Sequence, residues 1–457
     1  MKLIIVSNRL PIKLKENDGE YEYTKSSGGL AAGIDNLANK RDFIWVGNLS
    51  GYDLTENEQK RISGDIWTKF KYVPIFLPND TQSKFYNGFC NGILWPLLHS
   101  FCDDVCFTFS DHRAYIEANE VFADKILEVA DEDSTIWVHD YHLFYLPEIL
   151  KRKNPKLKVA FFLHVPFPVY DNFAILPCSK QLVKSIAYAD IVAFHVPEYV
   201  INFLENIKKF EIDKRPITKA ISIGIDPNQF RKTCEEESTI KFYNEIKEKY
   251  KDKKIIIEID RTDYIKGFPE KYKAIERFYK KYPEYVKKVV FLQVAIPSRM
   301  DVREYSCYVK DFNAQVQAIN GKIGDLHHTP VKLQFSSVSF NELCALYLAG
   351  DALFVGSIID GMNLVALEYV ACQDKNKGVL ILSQNIGALI SLPGAVPYNP
   401  CNTEDGADTI KEALELTEEN KSERHEFNKE MIDKFTTFKW AEDNLKFIEE
   451  TFEVKNE

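Results

Sequence analysis

Residues 352–373 read ALFVGSIIDGMNLVALEYVACQ, which is an apolar run, a short polar loop and a second apolar run. The first run has the length and composition of a buried strand, and the second reads as a buried helix. Two carboxylates, Asp360 and Glu368, stand within this stretch. Because a carboxylate in apolar surroundings costs free energy unless a polar group meets it, each of them predicts a polar partner or ligand.

Strand-like runs of the same kind recur along the chain and alternate with helical stretches. Their near-continuous β-branched and aromatic residues indicate strands covered on both faces, and hence parallel sheets flanked by helices. The predicted strands span 2–7, 43–48, 135–140, 159–165 and 191–196 in the first half, and 254–259, 289–296, 331–337, 352–357 and 379–384 in the second. Two successive sets predict an α/β protein of two doubly wound, Rossmann-like domains.

The domain boundary is predicted near residues 222–240, where a strand gives way to Gly, Pro, Asn and an acidic run. We therefore expect one domain over 1–225 and a second over 226–439. The last stretch, about 440–457, has helical spacing, and we expect it to pack back on the first domain.

The composition narrows the class of protein. With 457 residues, 45% hydrophobic and 28% charged, the chain is typical of globular proteins, and its net charge of −10 argues against a general nucleic-acid binder. No run approaches the roughly 18 apolar residues of a membrane span, and the N-terminus lacks a signal peptide's apolar region.

The nine cysteines lack the spacing of a zinc site, and the closest two are Cys102 and Cys106. We expect them to be reduced thiols of a cytoplasmic protein. We expect no bound metal.

Several predicted strands end in a polar side chain or have one shortly after their end. In open parallel sheets ligands bind beyond the carboxyl ends of the strands, so these positions carry functional weight. Together these positions predict a polar site between the two domains. The residues are Arg9, Asn48, Asp140, His164, His195, Arg261, Arg299 and Asp360.

Two cations, Arg261 and Lys266, lie between a predicted strand and the helix that follows it. Free N–H groups at a helix start add to such cations, so the pattern favours an anion site. The alternative is a pair of surface cations bridged to Asp260 and Asp263. Arg299 repeats the arrangement after the next strand, which favours a shared anionic ligand.

Three further patterns leave alternatives open. Gly28 and Gly29 precede an apolar helix start and suit either close approach to a ligand or a tight helix entry, but they form neither a phosphate-binding P-loop nor a dinucleotide fingerprint. His139, Asp140 and His142 follow a strand and suit sugar hydroxyls better than a metal. Aromatic residues in an apolar stretch are usually core, which by itself is the reading of Tyr86 and Trp95.

Taken together, these stretches closely resemble the trehalose-6-phosphate synthases, retaining glycosyltransferases of the GT-B fold and family 20 type. The matching runs occur in family order over nearly the whole chain, and they are VSNRLP, SSGGLAAG, FYNGFCNGILWPLLH, WVHDYHL, FFLHVPFP, IGIDP, DRTDYIKG, QVAIPSRMDVREY and DGMNLVALEYVACQ. The resemblance implies two Rossmann-like domains facing across a cleft, with the acceptor bound by the first and the donor by the second.

The resemblance also implies transfer of glucose from UDP-glucose to glucose 6-phosphate, with retention of configuration and without a metal or other cofactor. The implied catalytic residues are Asp140, His164, Arg261, Lys266 and Asp360. The implied UDP-glucose contacts are Gly28, Gly29, Arg261, Lys266, Val338, Asp360, Gly361, Met362, Asn363, Leu364, Val365 and Glu368. The implied glucose 6-phosphate contacts are Arg9, Tyr86, Trp95, Asp140 and Arg299.

The chain departs from the family pattern at Asn48, where a Trp is usual, and at Ile359, where an Arg is frequent. PFPVYD at 166–171 and a short segment at 208–226 differ as well. These departures keep open a non-catalytic regulatory homologue of a synthase complex, or a related transferase with another acceptor. The missing glycine fingerprint disfavours a dinucleotide oxidoreductase. Relatives form assemblies, so analogy suggests a homo-oligomer.

Overall fold

The computed structural model describes residues 2–17, 20–25, 33–34, 41–103, 105–298 and 303–454. The chain divides into two compact units, Ile223–Thr436 and the combination of Met1–Ser222 with Thr437–Glu457. Each unit has a parallel sheet of its own.

The N-terminal unit is built on a seven-stranded sheet in which every strand pair is parallel. The strand order is β5-β4-β1-β6-β7-β8-β9. The strands are β1 Lys2–Arg9, β4 Phe43–Asn48, β5 Tyr72–Ile75, β6 Ser134–His139, β7 Lys158–Phe162, β8 Ile191–Phe194 and β9 Ile217–Ala220. Every residue of β6 and β8 is buried, and because successive side chains point to opposite faces, the sheet is covered on both.

A hairpin and the helices complete the N-terminal unit. The antiparallel hairpin pairs β2 Ile12–Asn17 with β3 Glu20–Lys25. The helices are α1 Glu56–Phe70, α2 Asn79–Gln82, α3 Trp95–Leu98, α4 Phe109–Val129, α5 Leu146–Lys153, α6 Tyr170–Phe173, α7 Ser179–Ile186 and α8 Pro197–Lys209, with a π-helix at Ser83–Leu94 and a 3₁₀ turn at Tyr141–Leu143.

The C-terminal unit has a six-stranded parallel sheet in the order β12-β11-β10-β13-β14-β15. The strands are β10 Lys254–Arg261, β11 Val289–Ile296, β12 Val331–Gln334, β13 Ala352–Val355, β14 Val379–Ser383 and β15 Val396–Tyr398. The helices are α9 Pro227–Cys234, α10 Glu237–Lys249, α11 Phe268–Lys281, α12 Arg303–Ile323, α13 Phe340–Ala349, α14 Leu364–Cys372, α15 Thr403–Glu415 and α16 Glu418–Lys434, with 3₁₀ turns at Tyr264–Lys266, Pro283–Tyr285 and Gly387–Ser391.

Many of these helices begin where the sequence supplies an oxygen-bearing cap. The side chain at the cap accepts a hydrogen bond from a backbone N–H of the first turn, which has no partner within the helix. Such caps are Thr55, Thr108, Asp226, Ser339, Asn363, Asn402 and Thr417. Local sequence therefore sets these seven helix starts, including the start of α14, where the predicted donor contacts lie.

The last helix, α17 Thr437–Val454, belongs to the N-terminal unit. The ring of Trp440 lies 5.5 Å from that of Trp137 and 5.2 Å from that of Phe162, measured between centroids. Trp440 is 1% exposed, so its indole is part of the core beneath β6 and β7. The burial of this large aromatic surface stabilises the packing of the last helix against the N-terminal unit.

The predicted fold class is confirmed, and the structure adds strands that sequence reasoning missed. All ten predicted strands are present, although the runs predicted to reach residues 165 and 337 end earlier, at Phe162 and Gln334. The missed strands are β5, β9, β15 and the hairpin, which are short, proline-containing or half-exposed. Such strands lack the continuous apolar run on which the prediction relied.

Among the described residues, every helix is too short or too polar to cross a bilayer.

Candidate active site

In the N-terminal unit, β1 ends in an irregular register that exposes Arg9. The pairing with β4 shifts between Ser7 and Arg9, and the Ser7 hydroxyl donates to the Arg9 carbonyl at 2.8 Å. The Trp45 indole N–H donates to the same hydroxyl at 2.8 Å. A Cβ on Gly47 would lie 2.8 Å from the nitrogen of Leu10, so glycine is required for this close approach. The bulge directs the Arg9 side chain away from the core.

The guanidinium of Arg9 lies over an aromatic pair. Its central carbon is 4.7 Å from the ring centroid of Tyr86, whose ring stacks on His142 at 5.8 Å and an interplanar angle of 7°. Tyr86 belongs to the π-helix Ser83–Leu94, in which Asn91 donates to the Tyr86 carbonyl at 2.8 Å. π-helical turns are rare and frequently mark functional sites, and here the wider turn carries the aromatic partner of an exposed cation.

Asp140 adopts a backbone conformation that side chains rarely tolerate. It directly follows β6 with φ of 75° and ψ of 166°. Its N–H donates to the Phe162 carbonyl at 2.8 Å, and its Oδ1 accepts from the His164 N–H at 3.4 Å. Its Oδ2 lies 3.8 Å from Nδ1 of His142. Strain of this kind costs about 1–3 kcal/mol and persists where the surroundings impose it, typically at functional sites.

Three histidines near the ends of adjacent strands form an uncharged group, in which His139 and His195 are buried and His164 is half-buried. Nδ1 of His139 lies 3.1 Å from Nε2 of His164, and the rings of His164 and His195 are 5.2 Å apart. Burial lowers the pKa of His139 and of His195 to about 3. Burial, with neighbouring His195 and His139, holds the pKa of His164 well below its usual value. All three are therefore neutral at physiological pH.

Trp95 and Asn48 are held by neighbours within this unit. Trp95 is 7% exposed, and its ring lies 5.7 Å from that of Tyr141. The Asn48 amide donates to Gln82 at 2.6 Å, and its oxygen accepts from the Ser50 N–H at 2.6 Å. At this point of departure from the family pattern, both ends of the side chain thus serve the local structure.

In the C-terminal unit, a tight turn after β10 places Lys266. Gly267 has φ of 63°, and a Cβ there would come 2.5 Å from the Gly356 carbonyl oxygen. The N–H of Ile358 donates to the Ile265 carbonyl at 2.8 Å. Because β10 and β13 are neighbours in the sheet, these contacts bring the loop after β10 against the loop after β13.

A buried ion pair joins these two loops. The ammonium of Lys266 lies 2.5 Å from Oδ2 of Asp360, and the Asn363 amide donates to the same oxygen at 3.1 Å. The Asn363 oxygen also accepts from the Ala366 N–H at 3.1 Å and thereby caps α14. Asp360 has thus found the polar partner that its apolar context predicted, and that partner is Lys266. The alternative in which Lys266 is bridged to Asp260 or Asp263 is wrong, because Lys266 pairs with Asp360.

The start of α14 combines backbone amides with a second carboxylate. Leu364 and Val365 form its first turn, where N–H groups point along the axis and favour anions. Glu368 lies one turn further on the same face, and its Oε2 accepts from the Tyr347 hydroxyl at 2.9 Å. Burial raises the pKa of Glu368, and the Tyr347 hydrogen bond opposes this.

Of the seven remaining predicted site residues, four lie among the described residues and three do not. Arg261 is exposed at the end of β10, Val338 and Met362 are half-buried beside the core, and Gly361 is buried. The predicted residues Gly28, Gly29 and Arg299 lie outside the described residues.

Sequence reasoning missed a buried ion cluster beneath the end of β10. Lys271 is fully buried, and its ammonium lies 2.7 Å from Asp260 and 3.4 Å from Glu258. Asp260 is therefore the partner of Lys271, and this cluster supports the strand that ends at Arg261. The sequence did carry a signal for this cluster. In KIIIEIDR, Glu258 and Asp260 are two residues apart, and residues two apart on a strand share a face.

We expect the carboxyl of Glu258 to make stability depend on pH. Burial raises its pKa to about 7, so between about pH 4.5 and 7 the folded chain binds more protons at this site than the unfolded chain. Stability from this group is therefore fully present at low pH and lost as pH rises through 7, by about 2 kcal/mol between pH 5 and 7.5. Urea unfolding at both pH values should show this fall in the unaltered protein and a smaller one in Glu258→Gln. An equal fall in the free energy of unfolding in both proteins would contradict the assignment of this pH dependence to Glu258.

The whole chain was compared with known proteins. Residues 1–450 match the model of glycosyltransferase family 20. An Encephalitozoon cuniculi protein named alpha,alpha-trehalose-phosphate synthase [UDP-forming] is 46% identical over 446 residues, covering 97% of each chain. The Saccharomyces cerevisiae 56 kDa subunit of the same name is 39% identical over 472 residues, covering 99% of this chain and 94% of the relative.

Solved structures agree with these relatives. An E. coli structure described as trehalose-6-phosphate bound with UDP-2-fluoro glucose matches with a TM-score of 0.89 and 28% identity, covering 98% of this chain and 99% of that one. A Burkholderia xenovorans alpha,alpha-trehalose-phosphate synthase (UDP-forming) in complex with glucose-6-phosphate matches with a TM-score of 0.86 and 27% identity, covering 98% and 100%. The fold, the family match and these relatives lead to one conclusion: the chain belongs to glycosyltransferase family 20.

Proposed function

We propose that the chain is an α,α-trehalose-phosphate synthase, which transfers glucose from UDP-glucose to glucose 6-phosphate and releases UDP with retention of configuration. The relatives that it matches over nearly its whole length carry that name. The observation that carries the proposal is the buried Lys266–Asp360 pair beside the start of α14. It supplies a cation, a hydroxyl-binding carboxylate and helix N–H groups in one place.

The leaving group sets the main chemical demand. Breaking the anomeric C–O bond builds negative charge on the diphosphate and positive charge on the sugar. Arg261, Lys266 and the first turn of α14 would stabilise the diphosphate, and Asp360 would accept hydrogen bonds from the donor glucose. When the diphosphate attracts Lys266, the ion pair loosens and Asp360 becomes available to hydroxyls. Such preorganised charges are usually the largest single contribution to catalysis.

The acceptor's proton needs a destination, and the histidines are poor candidates. With pKa values near 3, His139 and His195 take up protons only weakly at neutral pH. The departing phosphate oxygen is a stronger base in this step, and it would take the proton as the acceptor attacks on the same face. Neutral His164 would instead hydrogen-bond near the reacting glucose.

The acceptor would bind to the N-terminal unit. The guanidinium of Arg9 suits its phosphate, since arginine pairs two N–H groups with phosphate oxygens. Tyr86 holds that guanidinium from below, and the strained Asp140 offers an acceptor for sugar hydroxyls. Trp95 would shape the pocket.

We extend the proposal to the cellular compartment, the metal requirement and the oligomeric state of the chain. Nine free cysteines suit the reducing cytoplasm, and the charges of the chain itself would make a metal at the diphosphate unnecessary. Turnover should then persist in a chelator. The S. cerevisiae relative is named a subunit, so we propose self-association, to be measured by light scattering.

Acceptor-dependent UDP release tests the function. The purified chain should release UDP from UDP-glucose when glucose 6-phosphate is present, and much less without it. A product that is digested by a phosphatase to trehalose would identify the linkage. Release that glucose 6-phosphate does not stimulate would instead favour the non-catalytic homologue, and stimulation by another sugar phosphate would favour a changed acceptor.

Removal of the two donor cations should abolish turnover. Each of Arg261→Ala and Lys266→Ala removes charge stabilisation of the diphosphate and should lower kcat about 10²- to 10³-fold, with a larger loss in the double variant. The matched control is Lys273→Ala, because this lysine lies nearby on α11 and is exposed. Circular dichroism checks the fold. Near-normal turnover in the double variant would refute the assignment of the leaving-group site.

Arg9→Ala should weaken recognition of the acceptor's phosphate alone. Loss of a charged hydrogen bond predicts a fall of about 10- to 100-fold in kcat/KM for glucose 6-phosphate. The same constant for unphosphorylated glucose should change little, because glucose makes no such contact. The control is Arg113→Ala, an exposed arginine paired with Glu117. An equal loss with both acceptors would mean that Arg9 acts on something other than phosphate.

A further inference from the structure

Three cysteines from three helices converge in the C-terminal unit. Cys234 is the last residue of α9, Cys344 lies within α13 and Cys372 is the last residue of α14. Among the described residues they form a group whose sulfur atoms all lie within 4.8 Å of one another, and all three are buried. We propose that these thiols bind a thiophilic d¹⁰ metal ion, Zn²⁺ or Cu⁺.

The separation of the sulfurs fits metal coordination after a small contraction. A Zn–S bond of about 2.3 Å in a tetrahedral site puts neighbouring sulfurs about 3.8 Å apart. The sulfurs here lie within 4.8 Å, so each must move by less than an ångström. Thiolates are the ligands that select Zn²⁺ and Cu⁺ over harder cations.

One side of the group opens to a cavity that supplies a fourth position. The cavity has a volume of about 320 Å³ and is lined by Cys234, Cys372, Arg231, Asp374 and Lys375, among others. A site with three protein ligands characteristically keeps water at its fourth position, and this cavity has room for one. A Zn²⁺ ion with three thiolates carries one net negative charge. The cations at this cavity already have partners, since Arg231 pairs with Asp374 and Lys375 lies 3.8 Å from Glu235.

Metal binding would replace the protons of the three thiols. The thiolate is the form that binds metal, so uptake of the ion releases protons and strengthens as the pH rises.

Apolar packing is the competing explanation, because the three residues also belong to the hydrophobic core of this unit. Buried cysteines commonly act as small apolar side chains. Packing alone accounts for their burial, but it does not require three sulfurs to meet beside a cavity.

The site is separate from the proposed donor site. Cys372 ends α14, whereas Leu364 begins it, so the two sites are about 12 Å apart along the helix axis. The inference therefore stands independently of the proposed function.

Metal binding by the reduced full-length chain is the test. With Zn²⁺ in competition with a chromophoric chelator, we expect one ion per chain. Co²⁺ in place of Zn²⁺ should give a thiolate-to-cobalt charge-transfer band. Cys344→Ala and Cys372→Ala should each bind at least about tenfold more weakly. The control is the double variant Cys307→Ala, Cys401→Ala, which removes exposed thiols and should bind as before.

The outcomes separate the explanations. Uptake of Cu⁺ without Zn²⁺, lost in the same variants, would still support the site and identify its ion. Absence of any uptake, or uptake unchanged in Cys344→Ala, would overturn the proposal in favour of apolar packing. If Cys344→Ala does not fold, Cys234→Ser at the cavity edge replaces it, and the Co²⁺ spectrum of the unaltered chain reports thiolate ligation by itself.

Discussion

The ion pair between Lys266 and Asp360 is the interaction on which the proposed donor site depends. It joins the loops after two neighbouring strands, β10 and β13, in a place where neither charge is well hydrated. An unpaired charge there would be costly, so each loop holds the other in position. In the proposed mechanism the pair is also reversible, because the diphosphate would compete for the lysine and free the carboxylate for hydroxyls. Stability without ligand and binding of ligand thus use the same two side chains.

The N-terminal unit, where we propose that the acceptor binds, uses conformational constraint in place of an ion pair. Asp140 is held at a φ of 75°, Tyr86 is carried by a π-helix, and Arg9 leaves the sheet at a bulge. Each is a local departure from regular geometry that costs free energy and is maintained by the packed sheet behind it. The neutral histidines give this unit hydrogen-bonding groups without adding charge beside the proposed phosphorylated acceptor.

Much of the fold and part of the site followed from the sequence. Long apolar runs predicted ten strands, because burial on both faces leaves a continuous signal. The same reasoning missed β9, whose residues alternate between exposed and half-buried, and β15, which is three residues long. The apolar context of Asp360 predicts a polar partner or a ligand, but it does not reveal that Lys266 is a partner. The buried cluster around Lys271 went unnoticed because its charges lie within otherwise apolar stretches.

By itself the sequence determined what is local: where strands and helices begin, which polar residues follow strands, and which motifs place the chain near a family. Only the tertiary structure decided which of these residues meet. Lys266 and Asp360 are 94 residues apart and touch because the strand order places β13 beside β10. Cys234, Cys344 and Cys372 have no metal-site spacing along the chain, and three helices bring their sulfurs together. The physical reason is that periodicity reports the burial of each element, whereas contacts between distant residues depend on how the elements pack.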